Sequence, residues 1–442
     1  MMNQNTKNPR RDFLKTSALL TGGALLSPFA MPGAYAAGSD VIKIAVIGCG
    51  GRGTGAVFQA LATGHNIKLV AMADAFRDRL DASYAPIAQR HPEKVDVPEE
   101  HKFVGFDGYK KAIALADVVL LTAPPGFRPD HFEEAVKQGK HVFLEKPVAT
   151  DSNGIRRVLA AAEIAKSKKL NVVAGLQRRY QASYIETIKR MQDGAIGDIV
   201  GGQVYWNDGG VWVKPREANQ TEMEYQMRNW YYFNWLCGDH IVEQHVHNID
   251  VANWVKGAFP VKAEGTGGRM VRTGKEYGEI FDHHSLRFTY ADGTIINSEC
   301  RHFPGAAARV DESFVGTKGK AYLNAGNKGT LWAHNGSELY NHNGEGNINP
   351  YQQEHNELFD AVVKGEFRYA DAEHTAKSTM TAIMGRYATY SGKDITWDEA
   401  LNADVNLMPE RLAWDAMPKV LPGEDGFYPY AVPGRTNIIT KG

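Results

Sequence analysis

The stretch GDHIVEQHVHNID, residues 238–250, gathers His240, His245 and His247 with Asp239, Glu243 and Asp250. Imidazoles and carboxylates this close can do two kinds of chemistry: they coordinate a metal ion, or they move a proton. Read as one helix, the stretch puts His240, Glu243 and His247 on one face at i, i+3 and i+7, with His245 roughly a third of a turn away. Three ligands on one helix seldom converge on one ion at good geometry, so no metal is assigned. The reading is acid/base chemistry. His247 accepts a hydroxyl proton, and Glu243, one turn earlier, orients the imidazole or raises its pKa. The competing reading is a polar helix face that happens to be rich in histidine. His245 is an extra base and leaves the reaction type open.

A proton acceptor for a hydroxyl needs a partner that takes the hydride, and the chain supplies a place for one. Val41 to Ile47 is a continuous apolar run of the kind found in buried parallel strands. It ends in Gly48-Cys49-Gly50-Gly51-Arg52-Gly53, a GxGxxG, and a helical pattern follows. Gly48 permits the tight turn, Gly50 lets the backbone approach a pyrophosphate, and Gly53 lets helix and strand pack closely. Gly51 and Arg52 complete the loop, and Arg52 has the reach to touch a phosphate. A second strand closes on Asp74, 21 residues past Gly53. A carboxylate there takes ribose hydroxyls and repels a 2′-phosphate, which favours NAD, with NADP the alternative. Arg77 is the residue expected to soften that preference.

Further strands end at Thr122 to Pro125 and at Glu145-Lys146-Pro147. In doubly wound sheets ligands lie beyond the carboxyl ends of the strands, which puts Thr122, Pro124, Glu145 and Lys146 at the cofactor. Together, GxGxxG, Asp74, the Thr122 to Pro125 loop and EKP resemble the glucose–fructose oxidoreductase and inositol dehydrogenase family, Gfo/Idh/MocA, over roughly residues 40–395. The resemblance implies that Lys146 assists proton movement at the substrate hydroxyl. It also implies that Gln177 and Arg179 lie where the family places cofactor and substrate contacts; Tyr180 is a substrate candidate on aromatic content alone. Glu243, His247 and Asp250 align with the family's second catalytic element, with glutamate where aspartate is usual and His245 where glycine is usual. Trp206 is a substrate candidate on aromatic content, as Trp212, Trp230 and Trp235 lie close by in sequence. Lys214, Arg228 and Tyr232 are weaker candidates of the same kind.

These elements imply an α/β fold class. A Rossmann dinucleotide-binding domain over 40–150 precedes an α+β domain over 151–442 with a large, mostly antiparallel open sheet. Segments such as HHSLRFTYADGTIINSECRHF read as strands turning at Asp292-Gly293, and HNGSELYNHNGEGNINP reads as a mobile surface loop. Residues 1–36 read as a twin-arginine export signal: Arg10-Arg11, a short apolar run, and Ala34-Tyr35-Ala36 for cleavage. The apolar run is too short to anchor a membrane helix, and the expected location is the periplasm. A formal net charge of -1 removes the electrostatic case for nucleic acid. Cys49, Cys237 and Cys300 show no paired spacing, so no disulfide is expected.

The leading function is thus an exported nicotinamide-dependent oxidoreductase acting on a sugar, polyol or glycoside, with tightly held, recycled cofactor. A glycosidase working by transient oxidation, elimination, water addition and re-reduction is the alternative, and a non-catalytic sugar or nucleotide sensor is the third reading. A homo-oligomer is implied by the resemblance alone.

Overall fold

The apolar run forms strand β1, Ile42–Ile47, buried throughout except at Lys43. A computed structural model describes residues 41–344 and 346–439; the export signal read at 1–36 lies outside them. Five more strands join β1: β2 (Ile67–Asp74), β3 (Lys102–Val104), β4 (Val118–Leu121), β5 (His141–Leu144) and β6 (Val172–Ala174). All pair in parallel, in the order β3-β2-β1-β4-β5-β6. The order reverses between β1 and β4, which opens a crevice at their carboxyl ends. Alternate side chains of β1 feed two separate cores, Ile44 and Val46 on one face and Ala45 and Ile47 on the other.

This sheet runs past the expected boundary at 150. Helix Ser152–Ser167 is the crossover that delivers β6. The chain also returns later, because helix Pro350–Val363 packs Leu358, Phe359 and Val362 into the core that holds Ile44 and Val46.

The second sheet has nine strands: β7 (Ile199–Asp208), β8 (Lys262–Gly268), β9 (His283–Thr289), β10 (Ile295–His302), β11 (Arg309–Gly316), β12 (Gly319–Asn324), β13 (Lys328–Ala333), β14 (Glu338–Asn341) and β15 (Ile395–Thr396). Their order is β14-β13-β12-β11-β7-β10-β9-β8-β15, antiparallel except for the β7–β10 pair. The β9–β10 turn falls at Asp292-Gly293, where glycine accommodates φ +82°. The segment read as a mobile loop contains β14, which pairs with β13. Its four residues, Glu-Leu-Tyr-Asn, set Leu339 and Tyr340 side by side between polar neighbours, so no alternation marks the strand. Helices Val246–Lys256 and Ala372–Ser391 cover one face of the sheet.

A buried ion pair ties the two sheets together at the site. Arg178, in the turn Gln177–Tyr180 after β6, pairs with Glu312 on β11, and their side chains are 2% and 0% exposed. Glu312 also accepts from the Tyr184 hydroxyl at 2.8 Å and from Asn248 Nδ2 at 2.6 Å. Asn248 is the neighbour of His247, so one buried carboxylate sets the height of that helix above the sheet. Arg178→Met strands this carboxylate and is expected to cost about 3–5 kcal/mol, read as lost stability in chemical denaturation. Arg178→Met with Glu312→Leu removes both charges and should recover much of that loss. A single variant as stable as wild type would show that the pair does not hold the sheets.

Candidate active site

The carboxyl ends of β1, β2, β4 and β5 open into a cleft of about 710 Å³ whose far wall belongs to the second domain. The glycine loop forms its floor. An added Cβ at Gly48, with φ +95°, would lie 2.3 Å from the Ala123 backbone nitrogen, and one at Gly53 would lie 2.0 Å from the Gly48 carbonyl oxygen. These two glycines are required by close backbone approach. At Gly50 and Gly51 nothing lies within 4 Å of an added Cβ, so the loop there faces open cleft. Helix Gly51–Leu61 starts at this point with no acid in its first turn, leaving its N–H groups free for a pyrophosphate. Thr122 Oγ1 donates to the Gly48 carbonyl at 2.7 Å, locking the loop to the end of β4. Pro124 continues the same wall.

Asp74 caps β2. Its Oδ2 accepts from Cys49 N at 2.7 Å and its Oδ1 from Phe76 N at 2.9 Å. Each oxygen keeps a further lone pair for a ribose hydroxyl. Burial pushes its carboxyl above the ordinary range. Arg77 does not line the cleft; it pairs outside with Asp81 and Glu99, and its neighbour Arg79 lines the wall instead. Two residues, a little over half a turn of helix, separate the two and aim them at opposite sides, which spacing from Asp74 could not resolve. Arg52 turns from the loop to Glu145, Nε to Oε1 2.7 Å, and lies over the rings of Phe143 and Tyr351. Glu145 is packed against Gly175, where an added Cβ would fall 2.7 Å from the carboxylate.

Beyond Glu145, Lys146 crosses to the second domain. Its Nζ donates to the Glu243 carbonyl oxygen at 2.6 Å and to Glu243 Oε1 at 2.8 Å. Glu243 Oε2 is buried without a partner on the cleft wall. His247 lines the same wall, 5% exposed, its ring lying near-parallel to Trp206 at 5.8 Å. Burial, then the charges of Lys146 and Arg178, hold its imidazole well below the usual range, so it is neutral at pH 7.

The stretch 238–250 is not one helix. A short helix, His240–Glu243, breaks at Gln244 and His245, and a second begins at Val246. The break separates the three residues expected on one face. His240 points into the second domain, away from the cleft. Glu243 binds Lys146 rather than orienting His247. His245 is fully buried on the opposite side, its Nε2 2.8 Å from Ser298 Oγ on β10, and is no substrate contact.

Three other candidates are structural. Arg179 forms a two-pronged ion pair with Asp250, at 2.7 and 2.9 Å. The Tyr180 hydroxyl donates to Asp371. Gln177 is buried at the turn after β6 and does not line the cleft. All three sit past β6, in the turn Gln177–Tyr180, and none of them lines the cleft. Lys214 and Arg228 line the cleft; the Tyr232 hydroxyl instead donates to the Val211 and Trp212 carbonyls, bracing the loop that presents Trp212. Trp206, Trp212 and Trp230 line the cleft, while Trp235 is buried, its Nε1 donating to Gln226 at 2.7 Å. Sequence reading missed Arg128 and His131. Arg128 is 1% exposed and clamps the Leu121 and Ala123 carbonyls, each at 2.6 Å. An RPDH segment after a loop gives no signal that the guanidinium folds inward.

Comparison with known proteins agrees with the geometry. Residues 42–173 match the Gfo/Idh/MocA family model, described as an oxidoreductase family with an NAD-binding Rossmann fold. An inositol 2-dehydrogenase from Rhizobium meliloti is 24% identical over 176 residues, 40% of this chain and 47% of that protein. A 2,7-anhydro-N-acetylneuraminate hydratase from Escherichia coli is 23% identical over 213 residues, 48% of this chain and 52% of that protein. The matches thus span about half the length of these curated relatives. The crystal structure of an aldose-aldose oxidoreductase from Caulobacter crescentus superposes with a TM-score of 0.61 at 17% identity, over 81% of this chain and 100% of that one, which shows a shared fold.

The buried histidines make stability depend on pH. Burial brings His131, on the cleft wall, to about 3 and His141 to about 4. The unfolded chain binds these protons near pH 6.5, so the stability they contribute is full above that pH and is lost as pH falls toward the folded values. Each should lose about 1.4 kcal/mol per pH unit in that window. Glu279, raised to about 6 by burial, offsets part of this below its own value. The melting temperature is expected to fall steadily from pH 7 to pH 4.5; a flat profile would contradict the assignment of these rings as neutral.

Proposed function

We propose, on the premise that residues 42–173 are an NAD-binding Rossmann domain of the Gfo/Idh/MocA type, that this protein is a nicotinamide-dependent oxidoreductase of a sugar or polyol hydroxyl. The observation that carries the reading is Lys146. It stands at the carboxyl end of β5 with Nζ held by Glu243, in one cleft with the glycine loop and His247.

Gly50, Gly51, the N-terminus of helix Gly51–Leu61 and Asp74 would hold the dinucleotide. NAD, when bound, supplies the hydride acceptor. Oxidising an alcohol also releases the hydroxyl proton, and neutral His247 is placed to take it. Lys146 donates a hydrogen bond to the same oxygen, and Glu243 keeps its ammonium in place by charge and by the backbone carbonyl. Trp206, Trp212 and Trp230 offer apolar faces suited to a sugar ring. The aldose-aldose oxidoreductase with the same fold and the matched inositol 2-dehydrogenase support this substrate class.

We also propose that the chain is exported through the twin-arginine leader, folded with cofactor inside, and recycles it by oxidising one substrate and reducing another. The second reading, glycoside cleavage through transient oxidation, is supported by the likeness to an anhydrosugar hydratase and by unpartnered Glu243 Oε2. His245, buried on Ser298, no longer adds to it.

The purified protein, given sugars, polyols and nitrophenyl glycosides, should change nicotinamide absorbance with no phenol released. Phenol release with no net reduction would favour glycoside cleavage instead. Lys146→Met and His247→Ala should each lower turnover about 10²–10⁴-fold with NAD affinity nearly unchanged. Loss of NAD binding in either would refute the division of labour between the domains. Asp74→Ser removes a charged acceptor and should weaken NAD roughly 10–100-fold while relieving exclusion of NADP, measured by titration of both nucleotides.

A further inference from the structure

Behind the cleft wall, on the side of the short helix away from Lys146, lies a second group of ionisable side chains that the proposed reaction does not use. Asp239, His240 and His284 each offer one ligand atom, and these atoms lie within 4.8 Å of one another. All three side chains are 0% exposed or 1% at most, and none lines the cleft. The His302 ring, on β10, is tilted 33° to that of His240 with centroids 4.4 Å apart, and its Nε2 is also buried and unpartnered.

The Thr389 hydroxyl lies 3.2 and 3.1 Å from the Gly385 and Arg386 carbonyls and 2.9 Å from His284 Nδ1, with one proton to serve all three. When that proton goes to a carbonyl, the hydroxyl accepts from Nδ1, and a neutral His284 carries a bare lone pair at Nε2, 3.3 Å from Asp239 Oδ1. Oδ1 is itself an acceptor. His240 Nδ1 lies 2.8 Å from the same oxygen but is not aligned as a hydrogen bond, and neither ring nitrogen of His240 has a partner. Buried ring nitrogens without hydrogen-bond partners thus face a buried carboxylate, an arrangement that a cation among them would satisfy.

We infer that Asp239, His240 and His284 form a buried site for a divalent transition ion, zinc in the first instance. Two imidazoles and one carboxylate suit a borderline ion such as Zn²⁺ rather than Mg²⁺ or Ca²⁺. Ligand bonds of about 2.0–2.2 Å set tetrahedral ligands roughly 3.3 Å apart, and the two spacings to Asp239 Oδ1 are 2.8 and 3.3 Å. The outer contacts are those of a metal site. Thr389 Oγ1 lies 2.9 Å from His284 Nδ1, and Asp239 Oδ2 accepts from Phe281 N at 3.0 Å and from the Tyr390 hydroxyl. Asp239 itself is held at φ +77°, directly after Gly238 at φ +80°, which turns its carboxylate into the cluster. None of the three residues lines the cleft, and the ion would be structural. It would pin the start of helix His240–Glu243 to β9 and to helix Ala372–Ser391, and Glu243 at the other end of that helix holds Lys146.

Elemental analysis of the purified full chain, followed by uptake of Zn²⁺, Mn²⁺ or Fe²⁺ after chelation, tests the site directly. About one equivalent per chain is expected, with an anomalous diffraction peak between Asp239 and His284. Asp239→Asn and His284→Gln should each lower metal content at least about tenfold while NAD titration still shows an intact first domain. No bound metal in the wild type after exposure to all three ions would overturn the inference and leave a carboxylate–imidazolium pair. A peak elsewhere, such as beside Glu243 and His247, or metal retained in His284→Gln, would overturn it as well. Should both variants fail to fold, the wild-type metal content and peak position decide.

Discussion

One bridge organises the site: Lys146 at the end of β5 reaching the carbonyl and carboxylate of Glu243 in the second domain. A lysine with its stem in the Rossmann half and its charge in the other half aligns the two domains only if each partner is rigid. On the first side rigidity comes from Glu145, clamped between Arg52 and Gly175. On the second it comes from a four-residue helix, too short to be stable alone. That helix depends on what anchors it at both ends.

Its anchors are buried polar groups, not apolar packing alone. Downstream, Asn248 is held by Glu312, the carboxylate that also takes Arg178 and Tyr184. Upstream, Asp239 takes the His240 and Phe281 N–H groups and the Tyr390 hydroxyl. Such networks cost free energy when one member is lost, since each leaves an unpaired polar group in a dry interior. They fix a direction as well as a position. That is what Glu243 and His247 need in order to face one cleft from two different helices.

The break at Gln244 and His245 explains why one histidine-rich stretch serves three purposes. A continuous helix would have set His240, Glu243 and His247 on a shared face. Interrupting it turns His240 inward toward His284, aims Glu243 at Lys146, and leaves His247 against Trp206. His245, at the break, bonds Ser298 on β10 and fastens the junction to the sheet.

The dinucleotide half was legible because its determinants are local. The glycine loop, Asp74, Thr122 and the EKP triplet each lie at a strand end, and a parallel sheet places strand ends at its ligand edge by geometry alone. The mostly antiparallel second sheet was legible in outline from alternation and turn residues, though alternation missed β14 within a glycine-rich segment. What tertiary structure alone decided is where the polar side chains after β6 go. Arg179 finds Asp250, 71 residues on; Tyr180 finds Asp371; Arg178 finds Glu312. Helical periodicity put the 238–250 histidines on one face, and contacts with strands distant in sequence sent them to different places. The sequence determined which groups could take part in the chemistry, since residue type and strand position set that. Only the packed fold determined which face the cleft, because the cost of burying each unpaired charge is settled by partners far along the chain.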